Sequence, residues 1–192
     1  MGSSKKFNNQ YNGVSHAVFE TFDWIGNLVW AFVVGVFIFT ALLMSFTVHN
    51  ISMLPTLREG DQLWVNRLVH KPTTGDIVTI ATSEYLENGQ EFNLVKRVIA
   101  SGGQTFSIDY DNTHNVYVDG KLLNEPYINE PTALKPNWNM PGKVPEDSLM
   151  VMGDNRNHSA DSRDRRYKFI KCDQIYGKAV VCYWPLNRIK IL

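Results

Sequence analysis

The sequence predicts a mostly β domain preceded by a single N-terminal transmembrane helix. Residues 24–48 carry no charged side chain and are almost entirely apolar. After residue 49 the chain changes to short apolar runs separated by Gly, Pro, Asn and Asp, which is typical of strands and turns. No other long segment repeats its apolar residues at the helical period of 3.6. With 44% hydrophobic residues the chain can build a core, which argues against disorder.

The apolar stretch 24–48 is long enough to cross a bilayer, which takes about 20 helical residues. Trp24 and Trp30 lie toward one end of it, as aromatic residues of the membrane interface do. A removable signal peptide and a buried core helix are the alternatives. The run is long for a signal peptide and no small-x-small cleavage site follows it, and a helix that is apolar on every face would need a larger protein around it. We therefore expect a membrane helix at 24–48, preceded by a flexible polar tail at 1–23. Nearby Lys and Arg residues do not decide its orientation.

Short runs rich in β-branched and aromatic residues predict the strands of the domain. They lie at residues 62–69, 77–81, 92–100, 105–110, 116–118, 121–123, 149–152 and 178–183. Asp119-Gly120, between two apolar runs, is a strong signal for a hairpin turn. Five prolines between residues 125 and 147 indicate an irregular excursion. We expect an inserted lobe or surface loop at about 104–147.

Two residues together suggest nucleophilic chemistry. Ser52 lies in a proline-containing polar segment directly after the apolar stretch, so a loop that exposes it is expected, although most such serines are surface or capping residues. Lys96 lies in a predicted strand whose alternation places Leu94 and Val98 on the same face. A lysine among apolar groups loses hydration of its charged form, so its pKa falls and it can accept a hydroxyl proton near neutral pH. The alternative is that only its stem packs while the amine reaches water.

A third segment, residues 153–163, is a dense polar loop that follows an apolar strand. Loops of this kind often position functional groups. Asp154, His158 and Asp161 could suggest a metal site, but the spacing does not fit an EF-hand and no second histidine lies nearby. No metal and no other cofactor is therefore predicted. The alternative is a turn whose Asp and Asn side chains bond their own backbone.

Charge and cysteine content argue against other classes. Lys plus Arg equals Asp plus Glu at 19 each, so no basic footprint for nucleic acid is present. Cys172 and Cys182 are too few for a disulfide scaffold and lack metal-ligand spacing. The sequence leaves open whether they pair.

Four motifs follow the apolar stretch in order. They are Ser52-Met53-Leu54-Pro55-Thr56-Leu57, Gly75-Asp76-Ile77-Val78, Val95-Lys96-Arg97-Val98-Ile99, and Gly153-Asp154-Asn155-Arg156 with Ser159-Ala160-Asp161-Ser162-Arg163. The set resembles bacterial type I signal peptidases, which remove signal peptides from exported proteins. The resemblance extends to the C-terminal segment 184–189. It implies a cytoplasmic tail at 1–23, a single-pass anchor in the lipid of the cell membrane, and an extracytoplasmic signal-peptidase-like β catalytic domain at 49–192 with its active site near the lipid surface.

The resemblance also implies the chemistry. Ser52 and Lys96 would form a catalytic dyad without histidine, and Ser159 would hydrogen-bond the lysine amine. Met53 would help form the substrate pocket. The substrates would be preproteins with signal peptides, cut after small residues of the Ala-x-Ala type, and the substrate strand would pair with a sheet edge.

Supporting residues and departures from the family pattern complete the resemblance. Asp154, Asp161 and Arg163 match residues that hold the active-site loop. Asn50 replaces the serine whose hydroxyl commonly helps the nucleophile's backbone N–H to bind the oxyanion; an amide can also donate. Ile51 replaces a usual glycine, and a β-branched residue would be strained if the loop needs a positive φ there.

The motifs allow two other interpretations. A non-catalytic signal-peptidase-like accessory protein for pilus assembly would characteristically lack the serine or the lysine, and both are present. A self-cleaving Ser/Lys repressor would carry a DNA-binding domain in place of the apolar stretch. The leading interpretation is therefore a membrane-bound serine endopeptidase.

Overall fold

The structure, a computed structural model, describes residues 4–69, 71–82 and 93–192. For residues 4–17 and 19 it describes the backbone alone. The chain divides into two compact units, Met1–Leu42 and Leu43–Leu192. The first contains the α-helix and the second contains the strands.

The first unit is formed by helix α1, Ser4–Leu42. Its segment Glu20–Leu42 has 23 residues and a mean hydropathy of 2.2, and none of it is buried within the protein. At 1.5 Å per residue the segment is about 35 Å long, and the hydrocarbon core of a bilayer is about 30 Å thick. Trp24, Trp30 and Phe37 are each at least 70% exposed. By length and composition this helix can cross a membrane.

The observed helix differs from the predicted span 24–48 at both ends. The helix begins at Ser4, within the segment expected to be a flexible tail; from Ser4 to residue 23 the chain has no proline and only one glycine, so little in it opposes a helix. At the other end Leu43–Thr47 forms a strand that buries Phe46. Hydrophobicity alone does not separate a membrane helix from a buried strand that follows it directly.

The described part of the second unit contains eleven strands. They are β1 (Leu43–Thr47), β2 (Gln62–Asn66), β3 (Ile77–Ile80), β4 (Leu94–Ser101), β5 (Phe106–Ile108), β6 (Val116–Val118), β7 (Lys121–Leu122), β8 (Ser148–Met152), β9 (Ile170–Lys171), β10 (Ile175–Trp184) and β11 (Lys190–Ile191). Eight form one antiparallel sheet in the order β1-β2-β10-β3-β4-β8-β9, with β11 paired to β10. Strands β5, β6 and β7 form a second antiparallel sheet, and short 3₁₀ helices lie at Cys172–Gln174 and Leu186–Arg188. The predicted mostly β fold is confirmed.

Each predicted strand segment overlaps an observed strand, although residue 92 lies outside the described residues. The hairpin turn is also confirmed: Asp119 and Gly120 join β6 to β7 with φ of 49° and 73°, as a two-residue turn of this kind requires. Strands β4 and β8 pair directly, so the chain between them leaves the main sheet and returns to a neighbouring strand. That excursion holds the small sheet and a long strand-free segment, 123–147, as its prolines indicated.

The core surrounds the central strands of the main sheet. Nearly every residue of β3, β4 and β8 is buried, so both faces of these strands are covered. Val95 of β4 packs into a cluster with Leu63 and Val65 of β2. Val98 packs into a different cluster, with Val151 of β8. A side chain in the middle of β4 is therefore enclosed by the protein.

Candidate active site

Ser52 lies in a loop between β1 and β2, which we call the Ser52 loop (residues 48–61). Backbone hydrogen bonds close the loop at its base, where Val48 N–H donates to Asp61 and Gly60 N–H donates back to Val48. The prediction of a loop is confirmed, but the expected exposure is wrong, since only 5% of Ser52 is exposed. The loop packs against the segment after β8, and this covers the serine.

Lys96 lies in the middle of β4, opposite Val78 of β3, and is 1% exposed. Its Nζ donates a hydrogen bond of 2.6 Å to the Oγ of Ser52. The alternative in which the amine reaches water is excluded, because the amine ends on Ser52 inside the protein. Two residues separated by 44 positions thus form the contact that a base and a nucleophile need.

Burial changes the proton affinity of this amine. The pKa of Lys96 falls from 10.5 to about 8, because loss of hydration and the positive charge of Arg163 lower it by more than Asp161 and Asp154 raise it. Desolvation is the largest of these effects. A substantial fraction of the lysine is therefore neutral in mildly alkaline solution and able to accept a proton.

Asn50 contacts Ser52 through its side-chain oxygen. The Oδ1 of Asn50 accepts hydrogen bonds from the Ser52 backbone N–H at 3.1 Å and from the Ser52 hydroxyl at 2.6 Å. Asparagine side chains commonly bond the backbone two residues ahead in this way. The predicted donor therefore faces Ser52 with its acceptor atom in this structure. At Ile51 no positive φ occurs, so the strain considered for that residue is absent.

The segment after β8 holds the Ser52 loop in place. The backbone N–H of Asn155 donates to the carbonyl of Ser52, and its Nδ2 donates to the carbonyl of Ile51, both at 3.0 Å. A Cβ atom on Gly153 would lie 2.4 Å from the Ser52 carbonyl oxygen and 2.3 Å from Ser159 Oγ. The close approach thus needs glycine at this position. The sequence analysis missed Asn155, although it stands inside a motif that the analysis singled out.

Two buried ion pairs support this segment. Asp154 accepts two hydrogen bonds from Arg97, at 2.8 and 2.7 Å, and Asp161 accepts two from Arg163, at 2.9 and 2.8 Å. Asp161 also accepts the backbone N–H of Gly153 at 3.0 Å. Burial alone would raise the pKa of Asp161, but the hydrogen bonds and charge of Arg163 outweigh it and hold that pKa below its usual range. An arginine and a carboxylate joined by two hydrogen bonds fix each other's orientation as well as neutralising each other's charge.

Ser159 and Met53 occupy positions that differ from those expected. Ser159 is 7% exposed and its Oγ has no hydrogen-bond partner among the described residues, so the predicted bond to Lys96 is absent from this structure. The physical reason is that Lys96 directs its amine at Ser52, while Ser159 packs against Gly153. Met53 has no exposed surface and packs in the core with Leu57, so it lines no open pocket here.

Sequence reasoning also missed a buried network from the proline-rich excursion. Arg156 is fully buried and donates to both carboxylate oxygens of Glu125, at 2.9 and 2.5 Å, and to Thr132 at 2.9 Å. The ring of Tyr127 stacks on the guanidinium of Arg97, with 3.8 Å between the ring centre and the guanidinium carbon. The excursion therefore fastens onto the two arginines beside the candidate site. Glu125 stands in a proline-rich segment, and nothing in the local sequence indicates that it pairs with Arg156.

Within residues 4–69, 71–82 and 93–192 no group of three His, Cys, Asp or Glu side chains is arranged to hold a metal ion. Cys172 and Cys182 are free thiols. The two cysteines, whose pairing the sequence leaves open, are therefore not joined by a disulfide in this structure.

Comparisons with known proteins identify the family of the chain. A family model described as signal peptidase, peptidase S26, matches residues 21–184. The chain is similar to a probable signal peptidase I-1 of Synechocystis sp., with 41% identity covering 71% of this chain and 69% of that one. It is 33% identical to a signal peptidase I of Bacillus amyloliquefaciens, covering 88% and 90% of the two chains. It is 36% identical to signal peptidase I P of Bacillus subtilis subsp. natto, covering 88% and 91%.

Proposed function

The chain belongs to the signal peptidase family, peptidase S26, and on that premise we propose that it removes signal peptides from preproteins with Ser52 as the nucleophile and Lys96 as the general base. The observation that carries the dyad is the 2.6 Å contact between the buried Lys96 amine and the Ser52 hydroxyl oxygen. The pKa of Lys96, about 8, suits a group that must lose and regain a proton in one catalytic cycle. The pilus-accessory alternative gains no support, because the named relatives are signal peptidases.

The proposed reaction has two stages. The Oγ of Ser52 attacks the scissile carbonyl carbon while neutral Lys96 accepts the hydroxyl proton. The lysine ammonium then gives that proton to the leaving amine, and the new N-terminus departs while an ester to Ser52 remains. In the second stage Lys96 takes a proton from water, the resulting hydroxide equivalent cleaves the ester, and the proton returns to Ser52.

Other residues support these steps in the proposal. The backbone N–H of Ser52 and the Nδ2 of Asn50 donate to the oxyanion once the substrate is bound. The buried pairs of Asp154 and Asp161 with their arginines hold the segment after β8 against the Ser52 loop. Met53 and Ser159 contribute to the substrate pocket and to the lysine environment only after local movement, since both are buried in the substrate-free form.

Substrate and location follow from the family resemblance. We assign to this chain preproteins whose signal peptides end in small residues of the Ala-x-Ala type. The apolar part of helix α1 that follows residue 23 serves as a single-pass anchor in membrane lipid, with residues 1–23 in the cytoplasm and the domain from residue 49 outside it; the length and hydropathy of Glu20–Leu42 support an anchor.

The test is cleavage of a purified preprotein by the detergent-solubilised full chain. Ser52→Ala and Lys96→Met should each abolish the appearance of the mature N-terminus, measured by mass spectrometry. Ser107→Ala and Lys143→Met are matched controls at exposed positions and should cleave at the normal rate. Cleavage that survives Ser52→Ala would remove Ser52 as the nucleophile, and absence of cleavage by the unaltered chain would remove the activity itself.

A further inference from the structure

The hydroxyl proton of Ser52 points away from the base in this structure. Asn50 Oδ1 can only accept, so the Ser52 hydroxyl donates to it at 2.6 Å, and the Lys96 amine must then be the donor in its own bond to Ser52 Oγ. A general base has to receive that hydroxyl proton. The observed arrangement is therefore one step removed from the arrangement that reacts.

Asn50 Oδ1 also lies where a substrate oxygen is needed. During attack the carbonyl oxygen of the substrate is attached to the carbon that Ser52 Oγ attacks. The same oxygen accepts a hydrogen bond from the backbone N–H of Ser52. Asn50 Oδ1 is 2.6 Å from that Oγ and 3.1 Å from that nitrogen. The side-chain oxygen faces Ser52 and not the side-chain nitrogen, because a nitrogen there would set a donor against the backbone N–H.

We propose that Asn50 is a reversible cap on the nucleophile: its Oδ1 occupies the place of the substrate carbonyl oxygen and holds the Ser52 proton away from Lys96 until a substrate displaces it. The inference rests on the proposed function, because it assigns a resting state to the same dyad. Displacement frees the Ser52 N–H for the substrate oxygen and lets the hydroxyl turn to the amine. A half-turn of the Asn50 amide then presents Nδ2 to the developing oxyanion. The same residue therefore blocks Ser52 before the substrate binds and donates a hydrogen bond to the oxyanion afterwards.

The cap has a consequence for the protonation of Lys96. While Asn50 takes the hydroxyl proton, Ser52 offers the lysine only an acceptor, which favours the ammonium form. Without the cap the hydroxyl can donate to the neutral amine and favour that form. The other charged groups that act on Lys96 are Asp154, Asp161 and Arg163, and none of them changes when Asn50 is replaced.

The experiment measures the pH dependence of covalent labelling of Ser52 by a small fluorophosphonate in the detergent-solubilised full chain, followed by intact mass. Asn50→Leu keeps the branched shape and the number of heavy atoms of the side chain and removes the acceptor, so it does not admit the extra water that alanine would. Asn50→Asp keeps the shape and the acceptor and adds negative charge. Ser52→Ala fixes the background. The informative quantity is the midpoint of the acid limb, because loss of an oxyanion donor lowers the plateau of the profile without moving its midpoint.

We expect the midpoint of the acid limb to fall by about one pH unit in Asn50→Leu, because a shift of that size corresponds to the free energy of about one net hydrogen bond. On the acid side, labelling relative to the plateau should then be about tenfold faster. Asn50→Asp should shift the midpoint upward. An unchanged or raised midpoint in Asn50→Leu, with a normal thermal unfolding curve, overturns the cap. Should Asn50→Leu fail to fold, a midpoint in Asn50→Asp at or below the normal value overturns it as well. Preprotein cleavage is scored separately, so loss of the proposed activity and loss of the cap give different results.

Discussion

Replacing Lys96 by Met should make the protein more stable while it abolishes catalysis. The pKa of Lys96 in the folded protein is about 8, compared with 10.5 as its ordinary value. A difference of about 2.5 units corresponds to roughly 3 kcal/mol of unfavourable free energy for the charged form in the folded state. Methionine fills similar space without a charge, so it removes this unfavourable free energy. Loss of the hydrogen bond to Ser52 reduces the gain in stability by about 1 kcal/mol. The net gain expected at pH 6 is therefore about 2 kcal/mol.

The pH dependence of this gain identifies its cause. Because the folded pKa lies below the unfolded one, the unfolded state binds the additional proton between pH 8 and 10.5, and stability of the unaltered protein rises with pH across that window. The penalty is complete below about pH 8 and disappears above about 10.5. The stability advantage of Lys96→Met should accordingly be largest at pH 6 and shrink as the pH approaches 10.

Urea unfolding of the detergent-solubilised full chain, followed by near-UV circular dichroism at several pH values, measures this difference. Lys143→Met at an exposed position is the matched control and should change stability little at any pH. If Lys96→Met is no more stable than the unaltered chain at pH 6, or if its advantage is the same at pH 6 and pH 10, burial of the charged amine does not lower the stability of the fold.

Three further predictions follow from the same geometry. The acid limb of kcat/KM for preprotein cleavage should rise with pH to a midpoint near 8 as Lys96 loses its proton, and a midpoint below 6 would contradict its role as base. Gly153→Ala should lower kcat/KM about 100-fold, because its methyl group must push the Ser52 carbonyl away; normal kinetics would show that the loop is not held there. Glu125→Gln should cost about 3 kcal/mol in urea unfolding by leaving Arg156 buried without its counter-charge, whereas exposed Glu59→Gln should cost little, and equal effects would contradict the network.

The sequence predicts the sheet better than it predicts the beginning and end of the chain's regular structure. Alternating apolar residues and the Asp119-Gly120 turn locate eight strands, because period and turn chemistry are local properties. Strand β1 escapes prediction because it continues the apolar stretch without a break. Strands β9 and β11 have only two residues each, so no period can be read from them. Their pairing is decided by partners far away in the sequence.

The burial of Lys96 could be predicted from residue types, and its pairing with Ser52 from the family resemblance, but the geometry around the two side chains could not. An apolar row around Lys96 predicts burial and a lowered pKa, and the structure has both. The orientation of Asn50, the absence of a bond from Lys96 to Ser159, and the bond between Glu125 and Arg156 depend on how loops from distant parts of the chain meet. No local pattern encodes such contacts.

The position of Lys96 in the sheet explains why the structural core and the candidate active site coincide in this protein. An amine with a pKa near 8 requires loss of water, and β4 supplies that because neighbouring strands cover it on both sides. A buried lysine would still be useless without a hydroxyl within reach, and the Ser52 loop provides one because Gly153 and Asn155 hold its backbone close to the end of β8. Burial that lowers the pKa also destabilises the charged lysine, so the extensive apolar packing of β3, β4 and β8 is what allows the fold to keep this residue. The reactivity proposed for Ser52 and the deficit in stability at Lys96 therefore have the same physical origin, and a substitution of Lys96 that removes one should remove the other.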